Sequence, residues 1–429
     1  MMKQILNSAV ALLFAASCIF TASAQDCCGG GQIVKTGVEV LVEHNFKELE
    51  GKRVGLVTNP TGVDRNLVST VDILHNAKNV ELVALFGPEH GVRGDIYAGG
   101  KVEDYKDSAT GLPVYSIYGK TRKPTPEMLQ GLDAVVYDIQ DNGCRSYTFI
   151  STLGLLMEAC AEQGIEVIVL DRPNPLGGLK IEGNLVEPGN FSFVSMFEIP
   201  YIYGLTVGEL AVLLNEEHLL KGEKGTRTDI PKCKLTVVPM EGWSRDMTYP
   251  DTKLPWILPS PHVPYAESAY YYPASGILGE LYYMNIGIGY TLPFQLFGAE
   301  WITDAEAFAA KMNGLNLPGV RFRAIQYSPF YGGDAGKQLH GVQYYFTDYK
   351  KASITELQFY VIEVLAEMYP DHAVFSNAKD GRYGMFDKVT GSDFIRANLA
   401  KRHKFEDIKE YWNKDADSFR KLSQKYYMY

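Results

Sequence analysis

Short apolar runs alternate with segments of helical periodicity through the first half of the chain. Residues 54–58 and 80–86 have the apolar, β-branched character of buried strands, whereas residues 69–77 repeat apolar positions at helical spacing. Strands that alternate with helices are typical of a mostly parallel sheet covered on both faces, because each parallel strand needs a crossover connection. The pattern therefore predicts an α/β fold, with further strands at 113–118, 134–139 and 166–170 and helices at 126–132 and 147–163.

The second half of the chain mixes both periodicities. Near residue 254 the composition shifts towards proline and aromatic residues. Because 429 residues exceed what one hydrophobic core usually fills, we expect a domain of residues 36–253 and a smaller α+β domain of residues 254–429. Helices are predicted at 207–220 with Thr206 as its N-cap, 305–312, 354–368 and 405–427, and strands at 320–325 and 341–346.

The first residues have the pattern of a secretory signal. Lys3 precedes a mostly apolar stretch at 5–20, and small residues follow it. Residues 1–24 are therefore predicted to be a signal peptide and 25–35 a leader, with export to the periplasm or the extracellular space. The stretch is shorter than the roughly 20 apolar residues of a spanning helix, so no transmembrane segment is predicted. Cys18 follows a sequence that resembles a lipoprotein box, but apolar residues come after it, so export without lipidation is favoured.

The charge balance limits the classes of partner. The formal net charge is -10, and nucleic acids and anionic membranes attract basic surfaces. Neither is therefore predicted as a partner, and an anionic small ligand would need arginines placed locally. The sequence also lacks the GxSxG, GxxxxGK[ST] and strand-linked GxGxxG motifs of serine hydrolases and nucleotide-binding proteins.

Several residues of the first half are metal ligands by type. Glu89, His90, Asp95, Asp138 and Asp141 are suitable ligand types, but they include one histidine and no HxH or HExxH spacing. We therefore predict neither a metal nor another cofactor.

Polar loops follow each of five predicted strands. The carboxyl ends of parallel strands share one edge of a sheet, where ligands bind in open α/β folds. Each loop alone is explained by the preference of turns for Gly, Pro, Asn and Asp, but their coincidence at one edge favours a site. The candidates on these loops are Asn59, Glu89, His90, Arg93, Asp95, Tyr118, Arg122, Asp138, Gln140, Arg145, Asp171, Arg172 and Asn174.

Glu89 is the leading candidate for chemistry. It could cap its turn or pair with Arg93, but the glycines around it let a substrate approach the backbone closely, which favours function. The expected task of His90 is to orient Glu89 or the substrate. Glu182, next to Gly183, is interpreted either as a second carboxylate or as a plain loop residue.

Charged residues at the strand ends allow two interpretations each. Arg145 and Arg172 need a carboxylate partner or an anionic ligand, because an uncompensated buried guanidinium is costly. Burial is expected to raise the pKa of Asp138 and Asp171, although either carboxylate could instead hold a backbone amide. Asn59 is interpreted as a turn former first and a ligand contact second.

Seven separated segments resemble the exo-β-N-acetylmuramidases of the NamZ type, a glycoside hydrolase family. They are GLVTNPTGVD from Gly55, LFGPEHGVRGD from Leu85, YGKTRKPT from Tyr118, YDIQDNGCRSYT from Tyr137, LDRPNPLGG from Leu170, EGN from Glu182 and LPSPHVP from Leu258, which contains His262.

The resemblance implies a Rossmann-like N-terminal domain, a smaller C-terminal domain and an active site in the cleft between them. It further implies removal of N-acetylmuramic acid from the non-reducing end of peptidoglycan fragments, with Glu89 as the catalytic residue. This sugar carries a lactyl carboxylate, so one or two of four loop arginines are expected to bind it. The four are Arg93, Arg122, Arg145 and Arg172, and His262 joins the substrate-binding candidates.

Several mechanisms fit these residues. Glu89 is expected to protonate the departing oxygen while Glu182, or failing that Asp138, assists water or the developing positive charge. The acetamido oxygen of the substrate is the alternative to a second protein carboxylate. The rival functions are an exported, non-catalytic muropeptide-binding protein and a metal-dependent hydrolase.

Overall fold

The computed structural model describes residues 33–94, 103–379 and 381–429. Predictions for the signal peptide, Cys18 and Asp95 lie outside these residues. The boundary near residue 254 stays a prediction. Among the described residues, no helix is both long and apolar enough to cross a membrane.

Seven strands form the larger sheet. They are β1 Arg53–Thr58, β2 Glu81–Gly87, β3 Tyr105–Lys106, β4 Pro113–Ser116, β5 Ala134–Asp138, β6 Glu166–Leu170 and β7 Lys234–Val238. Their order is β3-β4-β2-β1-β5-β6-β7, and each neighbouring pair is parallel except β3 with β4. The predicted α/β class and mostly parallel sheet are confirmed.

The parallel strands run outward from β1 in both directions. Strands β2 and β4 lie on one side, and β5, β6 and β7 lie on the other, which is the order of doubly wound Rossmann sheets. The carboxyl ends of β1 and β5 flank the point where the strand order reverses. All the loops that follow the parallel strands therefore emerge at one edge.

Five helices cover the two faces of this sheet: α1 Gly37–Glu43, α2 Thr70–Asn76, α3 Pro126–Leu129, α4 Phe149–Gln163 and α5 Val207–Glu216. Alternate residues of β1 point to opposite faces, so Val57 packs with residues of α4 and α5 while Leu56 packs with residues of α1 and α2. Both faces are buried, which explains the continuous apolar runs of the strands.

The smaller sheet contains β8 Leu296–Ala299, β9 Val320–Tyr327 and β10 Leu339–Phe346, antiparallel in the order β8-β10-β9. Residues of this sheet share one hydrophobic cluster with several of the surrounding helices. The helices of this half are α6 Ser268–Gly279, α7 Ala305–Gly314, α8 Leu357–Met368, α9 Val374–Asn377, α10 Tyr383–Thr390, α11 Asp393–Arg402, α12 Glu406–Asn413 and α13 Ala416–Ser423.

The single helix predicted at 405–427 is wrong. The chain forms α12 and α13 there, and Asp415 lies between them and accepts a hydrogen bond from the backbone N–H of Leu185. Trp412 of α12 packs in the cluster of the smaller sheet, whereas Phe419 of α13 packs against the larger one. Because the two apolar faces serve different cores, one straight helix could not bury both.

Candidate active site

Glu89 lies in the loop that follows β2. Tyr118, directly beyond β4, donates from its hydroxyl to Glu89 Oε1 at 3.0 Å, and Thr148, the N-cap of α4, donates to Oε2 at 3.5 Å. Burial and the negative charge of Glu89 raise the pKa of Tyr118 to about 12, so its hydroxyl remains a proton donor to the carboxylate. The pairing of β2 with β4 brings Glu89 and Tyr118 together.

His90 has a backbone conformation that fits this tight loop. Its φ is 72°, in the left-handed region, and that of Gly91 is 74°. Non-glycine residues seldom adopt this conformation, and such strain is often found at functional sites. The His90 side chain is buried.

A cavity of about 1100 Å³, which we call the cleft, opens beside Glu89. Its volume is slightly above the range of about 300–1,000 Å³ that is usual for small-molecule sites. The predicted site residues that line it are Glu89, Tyr118, Arg122 and His262. Lining residues that sequence reasoning did not select as site residues include Thr148, Phe193, Glu223, Tyr272, Gly276, Glu280, Tyr282, Asp334, Lys337, Lys379, Arg382 and Lys388.

Arg122 is exposed to the cleft through nearly half of its side chain. Its Nη1 donates to Glu223 at 2.8 Å, and its guanidinium carbon lies 4.3 Å from the ring centre of Phe193. A guanidinium has five N–H donors. The ion pair and the ring therefore orient Arg122 and leave it able to bind a further anion.

His262 contributes to the cleft from the segment between the two halves. Its Nε2 lies 2.8 Å from the Tyr331 hydroxyl, and the two rings are within 9° of parallel. Burial, and secondly the charge of His90, lower the pKa of His262. His90, which follows β2, thus contributes to the electrostatic environment of His262.

The reversal point of the sheet is closed by an ion pair. Arg172 Nε and Nη2 donate to the two oxygens of Asp138 at 2.5 and 2.8 Å, and Thr70 donates to Asp138 Oδ2 at 2.5 Å. Both members of the pair are buried. The carboxylate partner expected for Arg172 is therefore Asp138.

The loops around this ion pair are held by hydrogen bonds within and between them. Asn59 Oδ1 accepts hydrogen bonds from the N–H and hydroxyl of Thr61, and Gln140 Nε2 donates to the carbonyls of Asp141 and Pro173 at 2.8 and 2.7 Å. Asn174 bonds the backbone of Leu205 and Leu176. The cavity beside Gln140 and Arg172 is only about 10 Å³, about the space that one water needs.

Asp171 is held by donors from distant parts of the chain. Its oxygens accept from the Thr206 hydroxyl at 2.7 Å, the Gly208 N–H at 2.8 Å and the Tyr429 hydroxyl at 2.7 Å. Burial raises the pKa of Asp171 to about 6 despite these donors. The structure therefore combines both interpretations of Asp171, since it is buried and also holds backbone amides.

Arg145 differs from the expectation. Its side chain is fully buried and pairs with no carboxylate among the described residues; it donates to the carbonyls of Asn184, Ile199 and Val389 at 2.8, 2.6 and 3.1 Å. Burial lowers the pKa of Arg145 to about 10. Backbone carbonyls carry enough partial charge to hold a guanidinium, which the prediction did not consider.

Two further candidates have protein partners away from the cleft lining. Arg93 binds both oxygens of Asp107 at 3.0 Å and also reaches Asp72. Glu182 is partly buried and accepts hydrogen bonds from the N–H of Ile354 and from both the N–H and the hydroxyl of Thr355, just before α8. Burial raises the pKa of Glu182. The contacts of Glu182 anchor α8 to the first half of the chain.

The structure favours neither a cysteine nucleophile nor a metal site among the described residues. Cys144 is a buried free thiol whose pKa burial raises to about 11, which disfavours the nucleophilic thiolate. Across the described ranges, no cluster of three or more His, Cys, Asp or Glu side chains is placed to hold a metal ion.

Two family profiles match nearly the whole described chain. Exo-beta-N-acetylmuramidase NamZ, N-terminal, matches residues 54–267, and Exo-beta-N-acetylmuramidase NamZ, C-terminal, matches residues 270–429. The chain belongs to the NamZ exo-β-N-acetylmuramidase family. The resemblance drawn from the seven segments is confirmed, and the family makes the chain a glycoside hydrolase.

Individual relatives agree with this family. The chain is 44% identical over 396 residues to the peptidoglycan beta-N-acetylmuramidase NamZ of Bacillus subtilis (strain 168), covering 92% of this chain and 91% of that protein. Two crystal structures of DUF1343 family proteins from Bacteroides fragilis NCTC 9343 share the fold. One is 59% identical with a TM-score of 0.87, covering 92% of this chain and 99% of its own, and the other is 26% identical with a TM-score of 0.71, covering 93% and 99%.

Proposed function

We propose that this enzyme removes N-acetylmuramic acid from the non-reducing end of peptidoglycan fragments, with Glu89 as the proton donor. The observation that carries the proposal is the position of Glu89 on the wall of the cleft, held by hydroxyls from two different loops. The peptidoglycan activity of the 44% identical Bacillus subtilis relative supports the substrate class. We also propose that the protein is exported, on the signal-like pattern of residues 1–24.

In the first step the protonated form of Glu89 gives its proton to the glycosidic oxygen as the bond from that oxygen to the anomeric carbon breaks. Tyr118 and Thr148 fix the carboxyl group, so that its proton is aimed at one place in the cleft. His90, adjacent in the chain, is proposed to position Glu89 and the sugar.

The second catalytic group is proposed to be the acetamido oxygen of the substrate. Asp138 is bound to Arg172, and Glu182 binds the backbone before α8. The other carboxylates that line the cleft each form an ion pair with a neighbouring cation: Glu223 with Arg122, Glu280 with Arg382, and Asp334 with Lys337.

In this scheme the acetamido oxygen bonds to the anomeric carbon as the leaving group departs. Water then opens the cyclic intermediate and gives a proton to the Glu89 carboxylate, which restores the enzyme. Two displacements at one carbon retain its configuration, so NMR of the first product should show the β-anomer.

Arg122 is proposed to bind the lactyl carboxylate. Of the four loop arginines named from the sequence, it is the one that lines the cleft. Arg93 and Arg172 are paired with aspartates, and Arg145 is held by carbonyls.

The test is Glu89→Gln with turnover of a chromogenic β-N-acetylmuramide as the readout. The variant keeps the shape of Glu89 and one of its two acceptor oxygens but has no acidic proton to give, so kcat should fall about a hundredfold to ten-thousandfold while sugar binding persists. Wild-type-like turnover would exclude Glu89 as the acid. Stoichiometric binding without turnover by the wild-type protein would favour the muropeptide-binding alternative.

Glu182→Gln is the matched control. Because one of the two acceptor oxygens of this partly buried side chain is lost before α8, unfolding free energy should fall by about 1–3 kcal/mol. The folded variant should still turn over substrate at the wild-type rate. A collapse of kcat in a folded Glu182→Gln protein would return Glu182 to the mechanism.

A further inference from the structure

The cleft extends well beyond Glu89 along one helix. Tyr272, Gly276 and Gly279 of α6, and Glu280 just after it, all line the cleft. Their spacing places them on one helix face, and eight residues of helix rise about 12 Å. At the near end, the Tyr272 hydroxyl lies 3.0 Å from Ser146 Oγ, two residues before the Thr148 that contacts Glu89.

At the far end of this face lies an exposed aromatic ring with a fixed position. Tyr282 is 64% exposed and has a left-handed φ of 49°. Arg382 lies over it, with its guanidinium carbon 4.0 Å from the ring centre. Arg382 is itself held by Glu280, whose carbonyl accepts from Nε at 2.7 Å and whose carboxylate pairs with Nη2.

The ring of Tyr282 is held in place by its contacts although it is exposed. The guanidinium covers one face of the Tyr282 ring, and the high exposure leaves the other face open. A strained backbone and a stacked, ion-paired arginine hold an apolar surface exposed to water in the lining of the cleft. Apolar ring faces with polar edges suit the C–H face of a pyranose.

We infer that Tyr282 and Arg382 form a binding subsite for a sugar on the leaving-group side of the cleaved bond, so that the enzyme prefers oligosaccharides to single glycosides. This inference rests on the proposed function. An enzyme that removes a terminal sugar needs a closed end for that sugar and an open end for the rest of the glycan. The exposed Tyr282 marks the open end, and Glu89 lies towards the other end of α6.

The test compares two substrates in Tyr282→Asn, because asparagine tolerates the left-handed backbone but has no ring. One substrate is 4-nitrophenyl β-N-acetylmuramide, and the other is a tetrasaccharide that begins with N-acetylmuramic acid at its non-reducing end. We expect kcat/KM for the tetrasaccharide to fall about fivefold to tenfold, and that for the aryl glycoside to stay unchanged.

Two further variants serve as controls. Tyr282→Phe keeps the ring and should behave as wild type with both substrates. Phe330→Ala removes an equally exposed ring, 65% exposed, that is not part of the cleft lining, and it should change neither substrate.

The outcomes separate the two proposals. An equal effect of Tyr282→Asn on both substrates, or none on either, overturns the subsite. If the wild-type protein hydrolyses neither substrate, the proposed function fails instead.

Discussion

Two regions of the same sheet edge look alike in sequence and differ in structure. The reversal point between β1 and β5 carries Asn59, Asp138 and Arg172, and the neighbouring region after β2 and β4 carries Glu89 and Arg122. Both are loops rich in charged residues, glycine and proline. The first is filled by its own hydrogen bonds and ion pair, whereas the second opens into the cleft.

The difference shows that polar density at a sheet edge does not locate a site by itself. Ligands of open α/β sheets usually bind where the strand order reverses. Here the crevice at the reversal point is filled by buried side chains of the protein, and the cleft lies beside the neighbouring strands β2 and β4. The deciding property is whether space for a ligand remains beside the charged side chains, because Arg122 also has a protein partner, Glu223, and still lines the cleft.

The largest expected effect comes from breaking the closed region. Arg172→Met leaves Asp138 buried without its cation, so unfolding free energy measured by urea titration should fall by about 3–5 kcal/mol. The double variant Asp138→Asn with Arg172→Met should recover part of that loss. Equal stability of Arg172→Met and wild type would show that the reversal point is open to solvent, contrary to the comparison.

The matching change in the open region should affect binding rather than folding. Arg122→Met removes the proposed partner of the lactyl carboxylate, so the inhibition constant of N-acetylmuramic acid should rise about tenfold. The inhibition constant of N-acetylglucosamine, which lacks the lactyl group, should not change. An equal rise in the inhibition constants of both sugars would mean that Arg122 does not bind the lactyl carboxylate.

The smallest effect is expected for Gly276→Ala in α6, where the free energy of unfolding and kcat/KM should change in opposite directions. At Gly276 an added Cβ would meet nothing closer than 3.5 Å, so no neighbour in the protein requires glycine there. Gly276→Ala should therefore raise unfolding free energy by up to about 1 kcal/mol. Because Gly276 lines the cleft, the new methyl group would narrow the proposed path of the glycan, and kcat/KM for the tetrasaccharide should decrease. An unchanged kcat/KM would mean that the substrate does not pass over Gly276.

Local patterns predicted much of the fold. The strands β1, β2, β5 and β6 and the long helix α4 follow directly from apolar periodicity and the turns between them. Helix α6 was not predicted, because its tyrosines, glycines and Pro273 disguise the helical pattern. Edge strand β7 was also missed, since its residues are only partly buried and carry a weaker apolar signal.

Residues of the cleft lining were predictable only where they belong to a motif. Glu89, Tyr118, Arg122 and His262 lie on recognisable segments and line the cleft. Arg145 could not be assigned from sequence, because its partners include a carbonyl 244 residues away. The cations Lys379, Arg382 and Lys388 lie outside the motifs, and only folding brings them to the cleft.

The contact between Asp171 and Tyr429 has a consequence for how the molecule is assembled. The two residues are 258 positions apart, and the Tyr429 hydroxyl supplies one of the donors that make burial of Asp171 tolerable. Burial of this carboxyl group in a nascent chain therefore lacks one of its donors until Tyr429 has been synthesised. Closure of so large a loop is slow, and it ties maturation of the early sheet to the arrival of the final helices.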